Sequence, residues 1–303
     1  MASLGARVVG LLLPLLGIKR FFAQTDRMEA RIAKMRDRKT PQPASKWHRR
    51  YDVVENTARG YPVVTFTPKG GAEPGAPHLF YLHGGGYVMD IARQHYDLVG
   101  KLCDELGACA TVPLYPLAPE SKASATLEAM RALYHDLCER HGHDRITILG
   151  DSAGGGMTLA LAQILKAEGS PLPASLVLYS PWLDASASGQ GQRAIESKDA
   201  MLAVDGLEKC GDLYRGELDI DDPRVSPLFG SLDGLPPMAI FSGTRDILLV
   251  DGRRLAERLE SEGVQNFAYH EYPGMMHVWM IFPISEARKT VAQTALFIQE
   301  NAT

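Results

Sequence analysis

The chain predicts an α/β fold in which a mostly parallel sheet of eight strands is covered by helices on both faces. Two observations carry that prediction. Short, nearly all-apolar segments at 145–149, 176–179 and 238–242 have the composition of strands buried on both sides. Helical patterns lie between them, around 92–106, 122–141, 153–168, 250–263 and 284–300, and strands that alternate with helices pair in parallel. Further strands are expected at 51–57, 62–67, 78–82, 109–114 and 267–272. The first two lie close together and are more polar, which suits an antiparallel edge. Residues 185–229 break the rhythm and read as an insertion.

Ahead of the sheet, Phe21, Met28, Ile32 and Met35 recur at helical spacing, with Arg27, Arg31, Lys34 and Arg38 on the other face. That basic stripe is expected to be solvated. "TPQPASKWHRR", from Thr40 to Arg50, has the composition of a linker. An apolar run from Val8 to Ile18 has the length of a signal-peptide core and is too short to span a bilayer. Lys19 and Arg20 follow it directly, Pro14 interrupts it, and no small-residue cleavage site comes next. The run is therefore expected to be an apolar lid or docking segment of a cytoplasmic protein, with no stable membrane insertion. The division is residues 1–48 as an N-terminal segment and 49–303 as the main domain.

Composition narrows the function. With 45% hydrophobic and 22% charged residues the chain is ordinary globular material, and its net charge of −4 leaves no electrostatic footprint for nucleic acid. Cys103, Cys109, Cys138 and Cys210 show no metal-ligand spacing and read as small core residues of a reducing compartment. No metal or organic cofactor is expected.

The chemistry concentrates in "ITILGDSAGGG", where an apolar strand meets a helix. A serine at the carboxyl end of a parallel strand lies where such sheets bind ligands. A nucleophilic Ser152 on so sharp a turn needs small neighbours two positions to either side, and Gly150 and Gly154 supply them in a Gly-x-Ser-x-Gly pattern. A phosphate-binding loop is the alternative, but the Gly-Lys-[Ser/Thr] ending is absent and no Gly-x-Gly-x-x-Gly opens the first strand–helix turn. Asp151, beside the serine, reads as a hydrogen-bonder that steadies the turn.

Upstream, "HLFYLHGGGYV" ends a strand in His83-Gly84-Gly85-Gly86. Alone, this is a flexible loop. With a nucleophile, consecutive glycines let main-chain N–H groups reach the anion that forms when serine attacks a carbonyl. Ala153, directly after the serine, is expected to supply another donor. A base belongs on a loop after the last strand, because the order in such sheets is serine, acid, histidine. His277 in "YPGMMHVWMIF" meets that condition, whereas His270 lies within a strand and reads as structural. The acid is expected at Asp246, just past a strand end; Asp251 reads as a helix-start residue.

These motifs, with "YPLAPE" (115–120), "SPWLD" (180–184), "DPRVSPLFG" (222–230) and "GTRDILL" (243–249), resemble the hormone-sensitive-lipase-like family of α/β-hydrolases, in particular its bacterial carboxylesterases. The likeness runs from about residue 50 to the C-terminus. It implies the α/β-hydrolase fold, Ser152 as nucleophile, His277 as base and Asp246 as acid, with Gly85, Gly86 and Ala153 as oxyanion donors. It also implies a helical cap made of the N-terminal segment and part of the 185–229 insertion, and short to medium acyl esters as small-molecule substrates. Lactone hydrolysis, deacetylation and acyl transfer use the same residues. A serine peptidase of this fold would carry an added propeller-like domain, and a plant hormone receptor of this fold lacks the histidine. Relatives also form dimers through edge strands. One departure stands out: Tyr115-Pro116 replaces the usual Tyr-Arg, which is expected to change the packing around Glu120.

Overall fold

One eight-stranded sheet organises the computed structural model, which describes residues 2–302. Four short helices come first: α1 (Leu4–Leu12), α2 (Ile18–Ala23), α3 (Met28–Arg36) and α4 (Ser45–Arg50). The sheet then begins with β1 (Tyr51–Asn56), β2 (Val63–Pro68) and β3 (His78–Leu82), followed by α5 (Arg93–Leu106), β4 (Cys109–Pro113) and α6 (Ala123–His141). Next come β5 (Ile146–Asp151), α7 (Ala153–Ala167) and β6 (Ser175–Tyr179). Helices α8 (Gln192–Glu196) and α9 (Val204–Arg215) interrupt the alternation before β7 (Met238–Gly243), α10 (Leu249–Ser261), β8 (Phe267–Tyr272) and α11 (Ser285–Asn301).

The strand order is β1-β2-β4-β3-β5-β6-β7-β8. β2 runs antiparallel to both β1 and β4, and every other neighbouring pair is parallel. Every residue of β3, β5, β6 and β7 is buried, as expected for strands covered on both faces. Leu79, Phe80, Tyr81 and Leu82 have no exposed surface at all. Each fully buried side chain of the Leu or Phe kind contributes about 1.5–3 kcal/mol relative to exposure. The outer strands pay less attention to the core: β1 is mostly exposed and β8 mostly half-buried.

The topology decides where a site can form. From β3 the chain moves outward through α5 to β4, then α6 carries it back across β3 to β5. From β5 it continues through α7 in the opposite direction, to β6. The loops leaving β3 and β5 therefore diverge, and a crevice opens between neighbouring carboxyl ends at that switch point.

Two expectations need correction. The stretch read as a linker contains α4, whose Trp47 is buried and donates from Nε1 to Asp97 Oδ1 at 2.6 Å. Six residues are too few to display a helical period, and burial of one indole holds the turn in place. The helix expected over 21–38 is broken at Gln24, whose backbone leaves the helical region (φ −116°, ψ 72°), so α2 and α3 are separate. Phe21, Met28 and Ile32 are nevertheless buried.

The tightest approach in the fold is at the start of α7. A carbon added to Gly154 would lie 2.0 Å from the Leu82 carbonyl oxygen, backbone that has nowhere to go. Gly154→Ala is expected to destabilise the protein by about 3 kcal/mol, at the upper end for overpacking. Gly70→Ala, where nothing lies within 4 Å, serves as the control. Urea unfolding of both variants checks this, and equal midpoints would refute the close-approach account.

Candidate active site

Ser152 stands between β5 and α7 with φ 54° and ψ −120°, a conformation sparsely populated by any residue with a side chain. Such strain costs on the order of 1–3 kcal/mol and persists only where the surroundings over-determine it. Here they do. Ser152 N–H donates to Tyr179 O at 2.8 Å, and its carbonyl accepts from Trp182 N at 3.0 Å and Gly156 N at 3.1 Å. The turn thrusts Oγ into the crevice at the N-terminus of a fifteen-residue helix.

His277 Nε2 lies 3.0 Å from Ser152 Oγ, and its Nδ1 lies 2.8 Å from Asp246 Oδ2. Asp246 is held in turn by Leu248 N–H, which donates to Oδ1 at 2.9 Å. The loops carrying acid and histidine are stitched together: Gly274 N donates to Thr244 Oγ1 at 2.7 Å and Arg245 N to Met275 O at 2.9 Å. Val278, next to the histidine, has φ 47°, an outlier for a β-branched residue and a second point of strain at the site. Burial opposes the imidazolium of His277, but the carboxylates of Asp246, Asp199 and Asp151 outweigh it and hold the pKa above the ordinary imidazole value.

The glycine loop after β3 faces this relay. Gly85 adopts φ 122°, open to glycine alone in practice. Neither Gly85 nor Gly86 donates its N–H to an acceptor among the described residues, and Ala153, as the first residue of α7, has no intrahelical partner for its own. Gly84 is different, since its N–H donates to Asp151 Oδ1 at 2.9 Å. Asp151 thus does more than steady its own turn. It also accepts from Tyr81 Oη, and its Oδ2 lies 3.4 Å from His95 Nε2, so one carboxylate pins the glycine loop against the elbow. Burial works against that charge, yet His95 and Tyr81 hold Asp151 below the usual carboxylate range. His83 points away from the crevice: its Nδ1 lies 2.7 Å from Gly84 O, and its ring stacks on Tyr115 at 4.3 Å. Burial, and then neighbouring His95, lowers its pKa to about 4.

Several remaining positions resolve too. Tyr115 keeps a place beside the loop, donating from Oη to His83 O at 2.6 Å. With Pro116 in the following position, the cation facing Glu120 comes from α3: Arg36 Nη2 lies 3.1 Å from Glu120 Oε2 and also donates to Ala118 O. Asp251 sits in the first turn of α10, as expected, but its buried carboxylate accepts from the Leu183 and Asp184 amides and from Gln192 Nε2. His270 lies in β8 and stacks on Phe241.

Sequence reasoning missed Asp199. It is buried, and its Oδ1 accepts from Met201 N at 2.7 Å and Leu202 N at 2.9 Å, while Oδ2 accepts from Ile247 N at 2.9 Å. Burial, then the neighbouring charge of Asp246, push its carboxyl up. It lies in the non-periodic insertion, where no pattern marks a buried acid; the only clue is an aspartate running directly into the apolar "AML".

A cavity of about 150 Å³ adjoins Ser152 and His277. Ile18 and Phe22 from the N-terminal helices, Met201 and Leu202 from the 185–229 segment, and Met89 and Ile281 give it apolar walls. Among the described residues no group of His, Cys, Asp and Glu has the makings of a metal site, and no helix is long and apolar enough to cross a membrane.

Residues 79–281 match the sequence model of a family described by its alpha/beta hydrolase fold. An acetyl-hydrolase of Streptomyces hygroscopicus is 33% identical over 224 residues, 73% of this chain and 75% of that protein. An esterase of Acinetobacter venetianus is 32% identical, over 72% of this chain and 73% of its own. Among solved structures, an esterase from the bacterial hormone-sensitive lipase family superposes with a TM-score of 0.83 at 27% identity, each chain fully covered. An esterase/lipase from an uncultured bacterium gives 0.84 at 28% identity over 99% of both chains. With that relay, that loop and those relatives in place, the chain belongs to the α/β-hydrolase-fold family, in the branch of the bacterial hormone-sensitive-lipase-like esterases.

Proposed function

We propose that this protein hydrolyses carboxylic esters of short to medium acyl chains through an acyl-enzyme formed on Ser152. The unbroken relay from Asp246 through His277 to Ser152 Oγ carries the proposal. His277 Nε2 takes the Oγ proton as Oγ attacks the ester carbonyl carbon. The carbonyl oxygen becomes an anion facing the Gly85, Gly86 and Ala153 N–H groups; one such donor is worth roughly 3–4 kcal/mol in the transition state. As the carbon–oxygen bond to the alcohol breaks, the imidazolium returns its proton to the leaving oxygen. Water then repeats the sequence on the acyl-enzyme and frees the acid.

The cavity supports the chain-length reading. At about 150 Å³ it falls below the roughly 300–1,000 Å³ of common ligand pockets, room for a short acyl group. Residues 1–48 and 185–229 act as the cap in this reading, because each supplies two of the apolar walls. The four cysteines are free, which suits a reducing compartment, and the cytoplasm is the proposed location. A homodimer through an edge strand of the sheet is part of the proposal.

Three outcomes follow. Ser152→Ala or His277→Ala lowers kcat on p-nitrophenyl acetate by about a million-fold, the scale seen when a triad member is removed from a serine hydrolase of another fold. Residual activity within tenfold of the parent would sink the assignment. Across p-nitrophenyl esters of two to sixteen carbons, kcat/KM peaks at the short end; a peak at sixteen carbons would contradict the cavity argument.

The third outcome concerns pH. His277 serves as base only when neutral, so kcat/KM rises with pH through its raised pKa, and the acid limb lies above the ordinary imidazole value of 6.5. Asp199 is one of the charges raising that pKa. Asp199→Asn therefore moves the acid limb to lower pH. A role confined to packing would lower kcat and leave the limb where it was.

A further inference from the structure

The N-terminal helix is turned the unexpected way round. Ala6, with 2% of its surface exposed, faces the body of the protein, where a carbon on Gly10 would touch Met276 Cε at 3.6 Å and one on Gly5 would touch Ile284 Cγ2 at 3.8 Å. Ser3 fixes the start of the helix, donating from N and Oγ to the Glu286 carboxylate. The large apolar side chains point out instead. Leu4, Leu11 and Leu15 are 78–80% exposed, and Val8, Leu12 and Leu16 are also exposed. Their spacing puts all six on one ridge along α1 and the turn that follows it. A helix that served only to close the cavity would bury its leucines and show its alanine and glycines to water.

Charge is distributed to match. The first 50 residues hold twelve Lys and Arg against three Asp and Glu, a net of +9, so the other 253 carry −13. Along the inner edge of the ridge runs a groove of about 490 Å³. Arg7, Lys198 and Arg245 line it, no carboxylate does, and all three are exposed and make no ion pair among the described residues. Leucines projecting beyond a row of free cations fit a surface whose outermost layer is anionic and whose interior is apolar.

We infer that α1 and the following turn dock this protein onto an anionic lipid bilayer, with the leucine ridge among the acyl chains and Arg7, Lys198 and Arg245 at the headgroups. Helices that lie in the interface bind in this way, by an apolar face plus attraction to anionic lipid. A second copy is the less favoured occupant, since ridge-to-ridge packing would bring two strongly basic segments together. Ile18 and Phe22, a few residues beyond the ridge, line the cavity at Ser152, so docking would present that cavity to the membrane surface. Binding is independent of ester turnover, and failure of one reading leaves the other standing.

The test is flotation of the full chain with vesicles of phosphatidylcholine alone or with about a third phosphatidylglycerol, beside light scattering on a size-exclusion column. The expected result is flotation with the anionic vesicles only, weakened by salt as surface charge is screened. Leu11→Ser/Leu15→Ser is expected to lose it at least tenfold, while p-nitrophenyl acetate turnover stays at the parent level. Leu296→Ser, an exposed leucine on α11, is the control and is expected to float like the parent. No flotation of the parent, or equal flotation of the ridge variant, overturns the inference. So does a dimer that the ridge variant dissolves in the absence of vesicle binding, which would give the ridge to a second copy.

Discussion

The structure turns on the approach of two backbones, where α7 begins against the end of β3. A carbon added to Gly154 would lie 2.0 Å, and one added to Gly150 2.7 Å, from the same Leu82 carbonyl oxygen, so neither position tolerates a side chain. That closeness lets Ser152 hold a backbone conformation it would not otherwise keep. The helix that follows opens with Gly154, Gly155 and Gly156, each about 1 kcal/mol poorer than alanine in a helix interior. The sequence tolerates that cost because Gly154 and Gly156 pack against Leu82 and Trp182 at distances no β-carbon allows, and Gly155 lies tightly against Pro181. Local helix stability has been exchanged for the placement of one hydroxyl.

From that approach the rest of the site follows. Bringing α7 onto β3 also brings Asp151 within reach of Gly84, so one carboxylate holds the glycine loop against the turn at Ser152. A carbon on Gly84 would meet Asp151 Oδ2 at 2.2 Å, so the pin works only with glycine there. The switch point of the sheet supplies the open space between them. Asp246 and His277 arrive from the far side of the sheet, on the loops after β7 and β8, and hydrogen bonds between those loops tie them together beside the serine.

Much of this was legible in the residues. Strand positions followed from apolar runs whose burial the sheet topology demands, and the meeting of Ser152, Asp246 and His277 was legible because each lies on the connection that leaves the carboxyl end of a strand. What escaped notice depends on contacts between segments far apart in sequence. Trp47 makes a helix out of linker-like residues by docking on α5, where a carbon on Gly100 would meet its ring at 2.6 Å. Arg36 reaches 84 residues along the chain to Glu120, and His95 reaches Asp151 from another helix. Asp199 is the plainest case. Its significance lies in three backbone amides and a neighbouring carboxylate, none of which leaves a periodic trace.

Asp199 also ties the segment beside the serine to the loop that carries Asp246. Lys19, at the start of α2, donates from Nζ to the carbonyls of Glu196 and Asp199. The Asp199 carboxylate then holds the Met201 and Leu202 amides, which carry two walls of the cavity, and the Ile247 amide beside the acid. Bonds to charged groups are each worth about 1.5–3 kcal/mol. Displacing α2 would therefore loosen the segment that shapes the cavity and the segment that aims Asp246 at His277. A short chain of hydrogen bonds therefore joins α2, the cavity walls and the loop that carries Asp246. Its two ends are Lys19 in the N-terminal segment and the amide of Ile247, the residue that follows Asp246.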